Sequence, residues 1–421
     1  MDKILLKSVV VPGREGEKVE DVLIAGNRFS RIGTVTPEES LGAEEVNCSG
    51  FAILPAFYNG HTHAAMSLLR GYADDMELET WLSKYIWPFE SKLTDEAVYI
   101  GSRLAVLEMI KSGTVFFADM YWRREQTIKA VEEMGIRAAI GVTIADTLMT
   151  PEQLEQNFDF LEKRTGESDR VKLVVMPHSV YTVSENVFHR CIDFAKSNGY
   201  KLHTHLCETR TEVDNCVKQY GVNPLELVER LGGLTPDLIG AHCVQFTESD
   251  RKKFAQAGAT AVLNPSSNLK LASGIPDVPG FLRDGVNVAL GTDGASSNNS
   301  LDMHAEMKLV SLLSKVQGGA TSLPAQDALR MATSNVARAY GLGDVGEVRE
   351  GFIADCLLVD LKNERMVPRH NLVSNWVYAA DNSCIDSVIC NGKFVMRGHH
   401  VDGEEEIVRE AETCAKRLAA N

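Results

Sequence analysis

From about residue 55 onward the chain repeats one pattern. Short apolar runs at residues 51–58, 114–119, 137–143, 171–177, 201–206, 238–242, 260–264 and 287–291 alternate with longer stretches whose apolar positions recur at helical spacing. A run that is apolar on both faces suits a buried parallel strand, because crossover helices cover such a sheet from outside. The helical stretches DEAVYIGSRLAVLEMIKSG, SENVFHRCIDFAKSNG and ESDRKKFAQAG each end on Gly, a residue that accepts the left-handed turn closing a helix. Eight strand–helix units in roughly 240 residues predict an α/β fold, a (β/α)8 TIM barrel. The rival, a doubly wound open sheet, calls for a Gly-rich phosphate loop after the first strand, and none is present.

Both ends of the chain have a different texture. Residues 1–54 predict short strands broken at Pro12-Gly13, Gly26-Asn27 and Ser49-Gly50. Strand patterns return after about 345 in GFIADCLLVD and SVICNGKFVM, where Asn391-Gly392 is a strong hairpin turn. Neither end is large enough for a sandwich alone. Residues 1–54 and 346–421, the latter with a terminal helix, are therefore expected to build one small β-sandwich domain beside a barrel of residues 55–345.

Composition narrows the class. The 421 residues are 44% hydrophobic and 24% charged, ordinary for a globular protein that needs no disulfide scaffold. The net charge of −15 disfavours nucleic acid and anionic membrane as partners. No run approaches the roughly 18 apolar residues of a membrane span. The opening MDKILLKSVVVPGREG reads as a strand and turn, not a signal peptide. Nine Cys without a CxxC pair predict reduced thiols and a cytoplasmic location, and argue against a thiolate metal site.

The histidines point to chemistry. His61 and His63 form an HxH pair at the end of the first barrel run, and His203 and His205 a second at the fifth, with Glu208 close behind. Residues i and i+2 of a strand share a face, so paired imidazoles can converge in the barrel mouth. His178 follows the fourth run, His242 ends the sixth and Asp293 follows the eighth. Barrel enzymes place their active groups at these carboxyl ends. Imidazole and carboxylate without thiolate favour one divalent metal ion, zinc, with Fe2+ or Mn2+ as alternatives. Glu208, three residues past His205, is placed to transfer protons over such an ion. A lone strand-end His is more often structural, and Glu208 alone could be a solvated residue opening a helix. Several such residues in register with separate strands outweigh those readings.

The segments PAFYNGHTHAAMSLLRG, HTHLCE, GAHC, NPSSNLKLASG and GTDGASSNNSLDMHAEMK resemble the amidohydrolase superfamily, in particular its 5′-methylthioadenosine/S-adenosylhomocysteine deaminase branch. The resemblance spans nearly the whole chain. It implies metal ligands at His61, His63, His205 and Asp293, and leaves His203 outside the ligand set. It implies catalytic roles for Glu208, as proton shuttle to the purine ring nitrogen, for His242, which hydrogen-bonds the attacking water, and for Asp293, which takes that water's proton. The implied reaction is hydrolytic deamination at purine C6 of an adenosine derivative, releasing ammonia. Trp81 matches an aromatic near the 5′ substituent, Glu90 a carboxylate on the ribose hydroxyls, His178 a contact near purine or ribose, and Ser297 a polar contact in the eighth loop.

One departure concerns substrate charge. Branch members acting on S-adenosylhomocysteine hold its carboxylate with arginines after the third strand, whereas here only Arg137 is present and it belongs inside the strand. Neutral substrates such as methylthioadenosine, 5′-deoxyadenosine or adenosine are therefore expected to be preferred. Alternatives are another heterocycle (guanine, pterin, cytosine or an s-triazine), a cyclic amide, or a metal-binding protein without turnover. Cyclic amidohydrolases commonly bridge two metals with a lysine at the fourth strand's tip, and MPHS has none. Residues 66–92 are too long for an ordinary βα loop and predict a lid or pocket wall. The resemblance also implies a homo-oligomer.

Overall fold

The computed structural model describes residues 3–13 and 16–420. Its strands are β1 (Lys3–Gly13), β2 (Gly16–Ala25), β3 (Arg28–Gly33), β4 (Glu44–Asn47), β5 (Phe51–Pro55), β6 (Phe57–Thr62), β7 (Thr114–Asp119), β8 (Arg137–Ile144), β9 (Val171–Pro177), β10 (Leu202–Leu206), β11 (Leu238–His242), β12 (Thr260–Leu263), β13 (Asn287–Leu290), β14 (Cys356–Asp360), β15 (Ile385–Cys390) and β16 (Lys393–Met396). Strands β6 to β13 pair in sequence order, each parallel to the next, with helices between them. This is the expected eight-stranded barrel.

The barrel closes where β13 returns to β6. The Asp293 amide donates to the His61 carbonyl at 3.0 Å, and Thr62 Oγ1 donates to the Asp293 carbonyl at 2.8 Å. Two glycines let the backbones meet. A Cβ on Gly60 would lie 2.8 Å from the Leu290 carbonyl oxygen, and one on Gly291 would lie 2.7 Å from the His61 nitrogen. Neither leaves room for a side chain.

The two ends of the chain form a second, mixed sheet in the order β16-β15-β14-β5-β1-β2-β3, with β4 on β1. It has its own core, including Leu6, Val22, Ile24, Phe29, Ile53 and Leu358. The Asn391-Gly392 turn joins β15 to β16 with both residues in the left-handed region, as a tight hairpin requires. One expectation needs correction: the run 51–58 is not a single barrel strand. Residues up to Pro55 pair with β1 and β14, and the chain enters the barrel only at Phe57. An apolar run does not reveal which of two sheets it serves.

Arg137 starts β8 at the end of the barrel remote from the histidines. Its guanidinium pairs with the buried Asp355 carboxylate and reaches the Tyr58 hydroxyl at 3.1 Å, tying barrel to second sheet. The terminal helix, Glu404–Ala420, buries Ile407, Ala411, Cys414 and Leu418 at helical spacing. It is joined to the helix Asp95–Lys111 by the Arg103–Glu410 (2.8 Å) and Lys111–Glu404 (2.9 Å) ion pairs. All nine cysteines are buried and unpaired. No helix among the described residues is long and apolar enough to cross a membrane.

Candidate metal centre and active site

The carboxyl ends of β6, β10, β11 and β13 bring their polar residues to one buried point. Donor atoms of His61, His205, His242 and Asp293 all lie within 4.8 Å of one another. His63 completes the cluster, its Nε2 being 3.3 Å from His205 Nε2 and 3.2 Å from Asp293 Oδ1. His61 Nε2 faces the same Oδ1 at 3.6 Å.

Second partners fix how these rings point. A carbonyl can only accept, so His63 Nδ1 donates to Met120 O at 2.5 Å and His205 Nδ1 donates to His178 O at 2.7 Å. Each Nε2 is thereby turned toward the centre, the orientation that metal-binding imidazoles need. Both nitrogens of His61 are buried with no hydrogen-bond partner. Orphaned imidazole nitrogens around one acid are costly as they stand, and a divalent cation would satisfy them together. The donor set fits such an ion.

Asp293 divides its oxygens. Oδ1 faces His61 and His63, while Oδ2 accepts Ser267 Oγ at 2.6 Å and Ser297 Oγ at 3.0 Å. Burial opposes its charge, but the facing His61 and His63 imidazoles overcome that and hold the carboxyl well below its ordinary range. Burial likewise opposes charge on His63, and Asp293 outweighs it, lifting this imidazole to about 9. His61, in which burial prevails, is lowered to about 4.

His242 Nδ1 bonds Asn268 Oδ1 at 2.8 Å, and its Nε2 looks toward Asp293 Oδ2 and Glu208 Oε2, each at 3.9 Å. Burial raises the Glu208 carboxyl above its ordinary range. His203 lies apart from the donor group. It bonds the Tyr340 hydroxyl at 2.7 Å, and that hydroxyl donates to Gly60 O.

Above the centre opens a cleft. Trp81 and Glu90 line it together with His178, His205, Glu208 and Asp293. Segment 66–92 folds into short helical turns and supplies Met66, Leu78, Trp81, Leu82, Trp87 and Glu90 to the wall. Trp81 is anchored by its indole N–H on Ala73 O at 3.0 Å. Glu90 takes the Trp122 indole N–H at 3.2 Å on one oxygen and leaves Oε1 buried without a partner. His178 is held by Thr182 Oγ1 at 2.9 Å, and burial lowers it to about 3, so it is neutral. Ser297 does not line the cleft: its hydroxyl is spent on Asp293 and on its own turn. No Lys or Arg is among the lining residues.

Sequence reasoning missed several participants. Asp119 ends β7, is buried, and accepts the Ala64 N–H at 2.7 Å, pinning the turn after His63. Its place at the tip of a predicted strand was a usable signal. Tyr121, Trp122 and Tyr181 also line the cleft. Cys207, His242, Cys243 and Asp293 have φ of 52°, 72°, 49° and 62°, so the chain turns sharply where strands deliver functional groups.

The model of the Amidohydrolase family matches residues 52–395, and the chain belongs to that family. It is 43% identical over 376 residues to a 5'-deoxyadenosine deaminase of Methanospirillum hungatei, covering 88% of this chain and 84% of the relative. It is 40% identical over 429 residues to a 5-methylthioadenosine/S-adenosylhomocysteine deaminase of Pelotomaculum thermopropionicum, covering 99% of each. Among solved structures, an adenosine deaminase from Xanthomonas campestris with bound zinc superposes with a TM-score of 0.94 at 31% identity, covering 100% of this chain and 99% of that one.

Proposed function

We propose that this protein deaminates adenosine derivatives hydrolytically at purine C6, with one divalent cation, zinc, held by His61, His63, His205 and Asp293. The observation that carries the reading is the meeting, in one cleft, of a cation-binding cluster, a buried carboxyl of raised pKa at Glu208 and an unsatisfied carboxylate oxygen at Glu90. The relatives named as deaminases of 5'-deoxyadenosine and of methylthioadenosine support it.

A divalent cation held by His61, His63, His205 and Asp293 would make a bound water acidic enough to give up a proton near neutral pH. Asp293 accepts that proton and passes it to the departing ammonia. Glu208 protonates the purine ring nitrogen beside C6, which makes the carbon electrophilic. His242, facing both carboxylates, hydrogen-bonds the attacking oxygen. Glu90 grips the ribose hydroxyls with its free oxygen, His178 contacts the nucleoside as a neutral imidazole, and Trp81 packs against the 5′ substituent. Ser297 acts through Asp293, with Ser267.

With no cation in the cleft wall, a substrate carboxylate would find no bidentate partner. Methylthioadenosine, 5′-deoxyadenosine and adenosine are therefore the preferred substrates, ahead of S-adenosylhomocysteine. The same reading places the enzyme in the cytoplasm, where nine unpaired thiols persist, and divides the chain at residues 54 and 345. The test is a screen of metal-replete protein for ammonia release. The reading predicts turnover of neutral adenosine derivatives with a higher kcat/KM than S-adenosylhomocysteine. Turnover only of guanine, pterins, cytosine or an s-triazine would overturn it.

A further inference from the structure

Glu212 lies one helical turn beyond the proposed proton shuttle and does not line the cleft. It is nonetheless buried, 6% exposed, and on its helix it shares burial only with Cys216. The helix Arg210–Tyr220 is capped by Thr209, whose hydroxyl accepts the Glu212 N–H at 3.1 Å. Three other helices here, capped by Thr150, Asn223 and Thr247, start with a full capping box, in which the side chain three residues on bonds the backbone N–H of the cap residue itself. Glu212 reaches further back. Its Oε1 accepts the N–H of Cys207 at 3.1 Å and its Oε2 the N–H of Glu208 at 2.6 Å.

Those two N–H groups are exposed by the turn that aims Glu208. Strand β10 ends at Leu206, Cys207 takes φ of 52°, and Glu208 then faces the cleft. Consecutive N–H groups at such a turn form a small anion-binding concavity. Glu212 fills it from behind, in a place closed to solvent.

We propose that Glu212 is a positioning residue: its carboxylate, by taking both N–H groups of the 207–208 turn, fixes the backbone from which Glu208 exchanges protons with substrate. The inference rests on the deaminase reading above. Each of the two donors meets its own carboxylate oxygen, whereas an amide would set an NH2 donor against one of them. His205, in contrast, is held from the His178 carbonyl and owes nothing to Glu212. The role therefore separates from metal binding.

The experiment compares wild type with Glu212→Gln using 5′-deoxyadenosine, zinc titration and thermal unfolding. The expected result is a fall in kcat of about 10- to 100-fold, with KM changed less than about threefold and zinc stoichiometry unchanged. Thr209→Val, which removes the helix cap and leaves the carboxylate clamp, lowers the Tm while kcat stays within about twofold. If the Gln variant does not fold, Glu212→Asp, which keeps both oxygens a methylene short of the turn, is judged by the same criteria. A folded variant with wild-type kcat overturns the proposal, as does a fall in kcat matched by loss of zinc, which marks a scaffold role. Absence of wild-type turnover on every adenosine derivative refutes the deaminase reading instead.

Discussion

Replacing Gly291 with alanine tests how the site is assembled, because this glycine sits where β13 meets β6. Its added Cβ would lie 2.7 Å and 2.8 Å from the backbone nitrogen and oxygen of His61, and 2.6 Å from Asn264 Oδ1. Ordinary contact is about 3.5 Å, so the seam must open by about 0.7 Å. The obstacle is largely backbone, so no rotamer change relieves it. Overpacking of this kind costs about 2–3 kcal/mol, a fall in Tm of about 3 °C for a chain of this size. The functional effect exceeds the stability effect, because the same movement separates His61 from Asp293. Metal–ligand distances tolerate only about 0.2 Å, and misplacement approaching 1 Å costs about 100-fold in rate. Gly291→Ala is therefore expected to bind zinc more weakly and to lose about 100-fold in kcat/KM at saturating zinc. Thermal unfolding, zinc titration and ammonia release measure the three effects. A variant with wild-type Tm, zinc affinity and rate would refute the claim that the close seam builds the centre.

Glu90→Gln removes one acceptor for the ribose hydroxyls, a charge-assisted bond of about 1.5–3 kcal/mol, so kcat/KM for 5′-deoxyadenosine should fall about 10- to 100-fold while any activity on free adenine changes little. Glu208→Gln should lower kcat by about 100-fold or more with zinc content unchanged, as measured by steady-state kinetics and metal analysis. Glu404, whose carboxyl the Lys111 hydrogen bond lowers to about 2, supplies stability above its unfolded value and loses it as pH falls through about 2. The Tm difference between wild type and Glu404→Gln should thus be small and positive at pH 7, because the pair is still partly solvated, and should shrink toward zero in acid. A difference that grows in acid would contradict the pairing.

The barrel was legible because buried parallel strands must be apolar on both faces, and the eight runs that obey this rule became β6 to β13 with small shifts. The centre was legible for a related reason: His61, His63, His205, His242 and Asp293 each lie at a strand's carboxyl end, where this fold gathers chemistry. What the pattern could not carry was anything set by contacts distant in sequence. The run 51–58 is divided between two sheets by its partners β1 and β14. Ser297 turns to Asp293, away from the cleft, because the 294–299 turn closes on itself. Glu212 looked like an ordinary first-turn acid, and only the left-handed Cys207 places two N–H groups within its reach.

The most direct test of the metal-centred account is zinc titration of rigorously demetallated protein during turnover of 5′-deoxyadenosine. The account predicts no ammonia release at the start, recovery complete near one equivalent, and no recovery in a His61→Ala, Asp293→Ala double variant. Undiminished turnover by the metal-free protein, or full recovery in the double variant, would contradict it.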